Sequence, residues 1–291
     1  MGDVLSATTT ALDLALTCFE RVQIARSFDQ DLNSHRIKLD IIQVRLSRWG
    51  EAVGLYGSSN SSNSTALAKA GDGTEQAGPL LTEAEYKTAQ GLLEAIEHQF
   101  DFAQQETASM LQQQPQRQDD GGVIDPARDL SSLARTVRDK LRATLRRRCE
   151  EVVKVAHSVQ WAFYKKEKFD EFVTELSDTI GKLEALFPAE KQDAAVTRLR
   201  ELGAAECAGI EKVYLKVLSA VSKDCDPVLD AAVDDALRPR EAAAGKNIYM
   251  SNDGVNNGQQ IGEMSGTQKG FSFGTTNNFG KGATNHWGSS N

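Results

Sequence analysis

Glycines recur at every fourth residue near the C-terminus of this 291-residue chain. The series is Gly254, Gly258, Gly262, Gly266, Gly270 and Gly274. This period is unfavourable in a helix, where each glycine costs roughly 1 kcal/mol relative to alanine, but it suits strands that turn or approach one another closely. The intervening residues are rich in Asn and Gln, a composition typical of β-aggregation. The segment is therefore predicted to assemble with copies of itself, or with a similar segment, through main-chain hydrogen bonds.

An extended conformation would divide this segment into two faces, because side chains alternate along a strand. The glycines and Gln260 would lie on one face, and Ile261, Phe271 and Phe273 on the other. Stacked in register, Asn and Gln side chains can form amide ladders along a fibril axis. A flexible tail without a specific role is the alternative interpretation of the same composition.

The composition of the chain changes after Gly245, where helical periodicity stops. Residues 246–291 have too little apolar surface to offset their ordering entropy, so we expect a natively disordered tail until it assembles. Its core Gln259-Gln260-Ile261-Gly262 resembles the Gln-apolar-Gly core of amyloid signalling motifs in animal necroptosis kinases and fungal cell-death proteins. The paired long repeats of the best-studied fungal prion tail are not evident, so the fibril architecture stays open.

Sequence patterns of enzymes are not evident. The four histidines are scattered, without HExxH spacing, and the P-loop, GxSxG and GxGxxG patterns are missing from the sequence. The four cysteines form no CxxC pair and are expected to be buried cytosolic thiols. We therefore expect no enzymatic activity, no cofactor and no metal site.

Length and charge limit the remaining classes. The chain can hold one large domain or two small ones, and its net charge of −8 argues against a nucleic-acid partner. The N-terminus lacks the pattern of a secretory signal, and no apolar run reaches the roughly 20 residues of a membrane span. We expect a cytoplasmic protein.

The first 240 residues show helical periodicity with no strand-like alternation before residue 245, which predicts an all-α, multi-helix bundle. Thr82 and Glu85 are placed to form a capping box at the start of one helix. The predicted helices span residues 4–26, 34–55, 82–112, 130–159, 169–187 and 196–217, with a short amphipathic piece after Pro227. The domain boundaries that follow are 1–225 for the bundle, 226–245 for a linker with a short helix, and 246–291 for the tail.

The stretch Phe19 to Val53 resembles the HeLo domain of fungal heterokaryon-incompatibility prion proteins, and a second stretch ending at Pro188 does so as well. The most specific block is RLSRWGEAV, which begins at Arg45. The resemblance covers roughly residues 1–225, with the loops at 57–80 and 113–125 diverging. The signature residues carried by this block are Arg45, Leu46, Ser47, Arg48, Trp49, Gly50 and Glu51.

The resemblance implies an effector whose pore-forming activity is restrained until the prion-like tail converts to amyloid, after which the N-terminal segment inserts into membrane. Its partners would be further copies of itself (including a HeLo dimer), an upstream receptor with a matching motif, and lipids of the plasma membrane, to which it would relocate. The alternative is a non-toxic module that propagates the amyloid and regulates a toxic partner. Within residues 4–19, the side chains expected to contact the membrane would be Val4, Leu5, Leu12, Leu14, Leu16 and Phe19.

Two further features leave alternatives open. The basic run from Arg135 to Arg148 is expected to be a solvated helix face, although it could hold anionic headgroups or pair with acidic residues of the bundle. The N-terminal Met1-Gly2 with Ser6 fits the loose myristoylation pattern, which matches by chance in many proteins. In the candidate membrane segment, placing the Asp13 charge at the centre of a bilayer would cost about 3 kcal/mol. The alternative is that this segment is an ordinary first helix of the bundle.

Overall fold

The computed structural model describes residues 2–26, 28, 32–56, 80–113, 122–149 and 160–244. Most of these residues are helical, which confirms the all-α prediction, and one compact unit spans Met1–Ala243. Eight α-helices lie within the described ranges: α1 (Gly2–Cys18), α2 (Leu32–Ala52), α3 (Glu83–Gln113), α4 (Ser132–Arg148), α5 (Lys166–Glu184), α6 (Gln192–Cys207), α7 (Lys212–Ser222) and α8 (Pro227–Ala244).

Helix α2 lies at the centre of the bundle. Sixteen of its 21 residues are buried, which is more than one face of a helix can supply, so the helix is surrounded by neighbours. It contacts α1, α4, α5, α6 and α7. Its apolar residues fill the core, while the polar residues on its remaining sides are also enclosed and require partners on those neighbouring helices.

Edge-to-face aromatic pairs join the outer elements around this centre. The Phe19 ring, just after α1, lies 4.8 Å from Phe100 on α3, and Phe100 lies 5.0 Å from Phe172 on α5. Such pairs add about 0.5–1.5 kcal/mol each beyond the area they bury. These contacts bring the turn after α1 and helix α5 against the same residue of α3.

The capping-box prediction at the start of α3 is confirmed. The Glu85 backbone N–H donates to Thr82 Oγ1 at 3.3 Å, and the Thr82 N–H donates to Glu85 Oε2 at 2.6 Å. Each side chain thus accepts a hydrogen bond from a backbone N–H that has no partner within the helix.

The prediction that no strand precedes residue 245 is wrong. Strand β1 (Val22–Ile24) pairs in parallel with β2 (Trp161–Phe163), with Val22 opposite Trp161. The first predicted helix therefore ends at Cys18 rather than at residue 26. Three-residue strands contain too few alternations to show a period of two, which is why the pattern escaped sequence analysis.

Two other predicted segments differ from the structure. The helix predicted over 196–217 is split into α6 and α7 at Gly209, whose φ of +71° favours glycine and interrupts the helix. Residues 226–245, treated above as a linker with a short helix, contribute α8, and Leu229 and Val233 on α8 are buried in the core. The α4 helix ends at Arg148, and the predicted continuation over 150–159 lies outside the described residues.

Gly50 allows α1 to approach α2 closely, and its substitution gives a direct test of this packing. A methyl group at Gly50 would overlap Leu12 Cδ2 and stand 2.9 Å from Tyr56 Cε2. Overpacking of this kind costs about 1–3 kcal/mol, so Gly50→Ala is expected to lower the free energy of unfolding measured in urea.

Gly91 on α3 is the matched control, because a methyl group there meets no atom within 4 Å. Gly91→Ala is expected to stabilise the protein by about 0.5–1 kcal/mol through helix propensity. Equal stabilisation by both substitutions would show that α1 does not pack against Gly50.

Candidate functional site

The candidate membrane residues lie on two different faces of α1 and on the turn after it. Leu12, Leu16 and Phe19 are fully buried, whereas Leu5 and Leu14 are 39% and 49% exposed, and Val4 is half-buried. Helix α1 is thus an amphipathic bundle helix in this conformation. None of the helices that the structure describes combines the length and apolarity needed to cross a membrane.

Polar contacts fix α1 to its neighbours. The Tyr56 hydroxyl, beyond the end of α2, donates to Asp13 Oδ1 at 2.7 Å, and Gln43 Nε2 donates to the Leu16 carbonyl at 3.0 Å. Burial, together with Cys149 and Asp13, raises the pKa of Tyr56 far above its usual range, so the phenol stays protonated as a donor. The charge of Asp13 is therefore met by a neutral partner inside the bundle.

Three threonines of α1 bond to their own helix. Thr8, Thr9 and Thr10 donate to the carbonyls four residues earlier at 2.8, 2.9 and 3.0 Å. These hydroxyls need no external partner, which lowers the cost of moving them into an apolar environment.

The signature block occupies the last two turns of α2, and its residues contact several different elements. Arg45 donates to Glu184 of α5 at 3.1 Å and to Ser177 Oγ at 2.8 Å, and Trp49 Nε1 donates to the Leu183 carbonyl at 3.1 Å. Leu12 of α1 packs against Gly50. Leu46 is buried in the core, Ser47 donates to the Val44 carbonyl at 2.7 Å, and Glu51 pairs with Arg148.

Arg48 is the most enclosed charge of the block, with a fully buried side chain. It forms bidentate pairs with two carboxylates: Nε donates to Glu206 Oε1 at 2.9 Å, Nη1 to Asp226 Oδ1 at 2.9 Å and Nη2 to Asp226 Oδ2 at 2.8 Å. Burial alone would lower the pKa of Arg48, but Asp226 and Glu206 outweigh it and raise that pKa well above its usual value. The guanidinium therefore stays charged in the core.

Asp226 connects this pair to the last helix. It lies directly before Pro227, the first residue of α8, and Asp226 Oδ1 also accepts from the Leu229 N–H at 3.0 Å. This is the geometry of an N-cap, with proline in the first helical position. The start of α8 and the C-terminal part of α2 are thus connected by the same carboxylate.

The basic run on α4 divides into two sets. Arg138 pairs with Asp40 at 3.0 Å, Arg142 with Glu20 at 2.9 Å, and Arg148 with Glu206 at 2.7 Å. Arg135, Arg146 and Arg147 are exposed. The expectation of a solvated helix face holds for the exposed arginines only. The other three arginines pair with acidic residues of the bundle, which was the alternative.

Glu20, on the turn after α1, depends on one of these arginines. Burial would raise its pKa, but the Arg142 charge and hydrogen bond, helped by Gln43, hold the pKa below its usual value. Glu20 therefore stays ionised and links the end of α1 to α4.

The cysteines and His35 lie outside these pairs and are also buried. The four cysteines are free and buried, as expected, and burial raises the pKa of Cys18 to about 11 and of Cys225 to about 12. His35 is buried between the rings of Phe28 and Phe169. Among the described residues no group of His, Cys, Asp and Glu has the arrangement of a metal site.

The amyloid-motif residues of the tail lie outside the described residues, so the predicted strand faces stay a prediction. Within the bundle, sequence reasoning missed Tyr56, Glu184, Glu206 and Asp226. The available signal for the three carboxylates was the presence of Arg45 and Arg48 among the apolar residues of α2, because charges buried there need acidic partners elsewhere in the chain.

Comparison with known proteins gives consistent matches. The family model HeLo, described as prion-inhibition and propagation, matches residues 4–214. The chain is 28% identical over 233 residues to heterokaryon incompatibility protein S of Podospora anserina, covering 80% of this chain and 71% of that protein. Heterokaryon incompatibility protein s of Podospora anserina is 28% identical over 231 residues, covering 79% and 70%.

Solved structures share the fold. The structure of the HET-s N-terminal domain superposes with a TM-score of 0.61 at 21% identity, covering 82% of this chain and 99% of that chain. A mutant form of the same domain also gives a TM-score of 0.61, at 22% identity, covering 79% of this chain and 97% of that chain.

Removing the Arg48 guanidinium tests the buried pair. Arg48→Met leaves Asp226 and Glu206 buried with fewer donors, and breaking a buried pair in this way costs about 3–5 kcal/mol. Arg198→Met on α6 removes an exposed arginine 3.6 Å from Glu201, and a surface pair is worth no more than about 1 kcal/mol. Urea unfolding should separate the two variants, and similar midpoints would contradict the central role of Arg48.

The Glu20–Arg142 pair predicts a specific pH dependence. Because the pKa of Glu20 is lowered from its usual value of 4.5, its contribution to stability is complete above that pH and is lost as the pH falls through the folded-state pKa. Glu20→Gln should therefore destabilise the protein by about 1–3 kcal/mol at neutral pH. The difference from the native protein should shrink below pH 4.5, and a difference independent of pH would exclude an ionised Glu20.

Proposed function

The chain belongs to the HeLo family of prion-inhibition and propagation domains, and from that premise we propose that it is a prion-like cell-death effector of heterokaryon incompatibility. In this proposal the tail, residues 246–291, is converted to amyloid by a template, and the helical unit then permeabilises a membrane. Two relatives are named heterokaryon incompatibility proteins, which supports this biological role. The glycine period and the Asn and Gln content of the tail support templated assembly.

One observation carries the mechanism: Asp226 at the start of α8 is paired with Arg48, two residues before Gly50, where α1 packs. Helix α8 leads directly into the tail. Conversion of the tail would pull on α8 and remove both its buried side chains and the Asp226 carboxylate from the core. The Arg48 charge would then be only partly compensated in a buried site, which is strongly destabilising.

Loosening of α2 near Gly50 would release α1. Helix α1 presents an apolar face with Leu12 and Leu16, and its threonine hydroxyls are already bonded internally. Asp13 opposes insertion of a single α1, since a charge at the bilayer centre costs about 3 kcal/mol. We therefore infer an oligomeric pore in which Asp13 faces water.

The proposal also specifies partners and location. The protein would associate with copies of itself, through the tail and as a HeLo dimer, and with an upstream receptor that carries a matching motif. It would reside in the cytoplasm and relocate to the plasma membrane, where lipids become its partners. The amyloid contacts would use the period-four glycines with Ile261, Phe271 and Phe273.

A seeded leakage assay tests the function. Fibrils are first grown from residues 246–291, for which a cross-β repeat of about 4.7–4.8 Å is expected. Adding these seeds to the full chain in the presence of dye-loaded liposomes should release the dye. The matched control carries a scrambled tail of the same composition and should release none.

The outcomes distinguish the two functions. Fibril growth without leakage would contradict the effector and favour a non-toxic module that propagates the amyloid and regulates a toxic partner. Equal leakage by native and scrambled proteins would exclude tail-templated activation. A tail that stays monomeric with seeds present would exclude the amyloid step itself.

A further inference from the structure

A cleft of about 340 Å³ opens between β1, the first turn of α2, α4 and the segment before α4. Small-molecule sites occupy roughly 300–1,000 Å³, so the cleft can hold a compact ligand. It is distinct from the contacts between α1, α2 and α8. Residues from several elements line it, among them Arg36, Arg138 and Arg142.

These three guanidiniums share two carboxylates. Asp40 Oδ1 accepts from Arg36 Nη2 at 3.2 Å and Asp40 Oδ2 from Arg138 Nε at 3.0 Å, while Glu20 Oε2 accepts from Arg142 Nη2 at 2.9 Å. The three guanidiniums therefore exceed the two carboxylates that they pair with by one positive charge, before Asp125 at the rim is counted. Burial lowers the pKa of Arg138, and the neighbouring charges of Arg36 and Arg142 lower it further, as expected where like charges are crowded.

Several donors of these arginines have no acceptor among the described residues. Arg138 uses only Nε, and Arg142 uses only Nη2, in the hydrogen bonds that the described part of the chain supplies. Their side chains keep 18% and 20% exposure, so the remaining N–H groups can be reached from the cleft. Arginine donors in this arrangement match phosphate oxygens, which accept paired hydrogen bonds.

The acidic groups at the rim are already engaged elsewhere. Asp125 Oδ1 accepts from the Ala127 N–H at 2.9 Å, and Asp129 Oδ2 accepts from Arg26 Nη2 at 2.9 Å. Arg135 also reaches this rim, where its Nη1 donates to the Ala127 carbonyl at 2.8 Å. Arg128 lies 3.5 Å from Asp125, so the rim holds three cations, Arg26, Arg128 and Arg135, against two carboxylates.

We propose that this cleft binds a phosphate monoester, with Arg138 and Arg142 donating to its oxygens. The group could be part of a soluble metabolite or of a phosphorylated lipid headgroup, since both present the same oxygens. The proposal does not rest on the cell-death function, because it follows from the arginines and the cleft alone. A ligand held there binds the folded state and would therefore stabilise the conformation described above.

Thermal unfolding of the full chain with inorganic phosphate or glycerol 3-phosphate at constant ionic strength tests the site. A rise in the midpoint is expected for the native protein. Ala127→Glu adds a carboxylate at an exposed rim position without removing any pair, and should weaken binding about tenfold, because the added negative charge repels the phosphate. Ala143→Glu makes the same charge change at an exposed position of α4 that does not line the cleft, and should keep the rise.

Vesicles distinguish the two sources of the phosphate group. Phosphatidylcholine vesicles with and without a phosphatidylinositol phosphate are compared by co-sedimentation for the same three proteins. Binding that requires the phosphorylated lipid and is lost only in Ala127→Glu assigns the site to a headgroup, whereas a response to the soluble probes alone assigns it to a metabolite. Equal midpoint shifts in all three proteins, or no response to any probe, would overturn the proposal.

Discussion

The bidentate pairing of Arg48 with Glu206 and Asp226 is the interaction on which the rest of the helical unit depends. A guanidinium with no exposed surface is tolerated only because two carboxylates and their hydrogen bonds replace the water it has lost. Those carboxylates come from α6 and from the residue that caps the start of α8, so the charge on α2 dictates where both helices lie. Arg148 on α4 completes the cluster through Glu206.

The same pair links the packing of the bundle to α1 and to α8. Asp226 caps α8, which precedes the tail, and Gly50 follows Arg48 by half a turn and receives α1. A buried charge is strongly stabilised while its partners are present and costly when one leaves, whereas apolar contacts weaken in proportion to the area exposed. An arrangement of this kind favours an abrupt transition over a gradual loosening.

The helical class and the capping box at Thr82 could be predicted from residue order, because each depends on local periodicity or on residues close in sequence. The three-residue strands could not, since pairing of Val22 with Trp161 joins segments far apart in the chain. The same holds for the basic run on α4, where the direction of each arginine depends on which acidic residue folds opposite it.

The sequence alone determined that the chain has a helical part and a glycine-spaced tail, because composition and period are properties of neighbouring residues. Only the tertiary structure decided that Arg48 meets Asp226, that Leu12 meets Gly50, and that Leu229 and Val233 of α8 are buried in the bundle. Charge pairing and close packing act between residues separated by tens to hundreds of positions, and no local pattern specifies which of many equivalent carboxylates or leucines will be the partner.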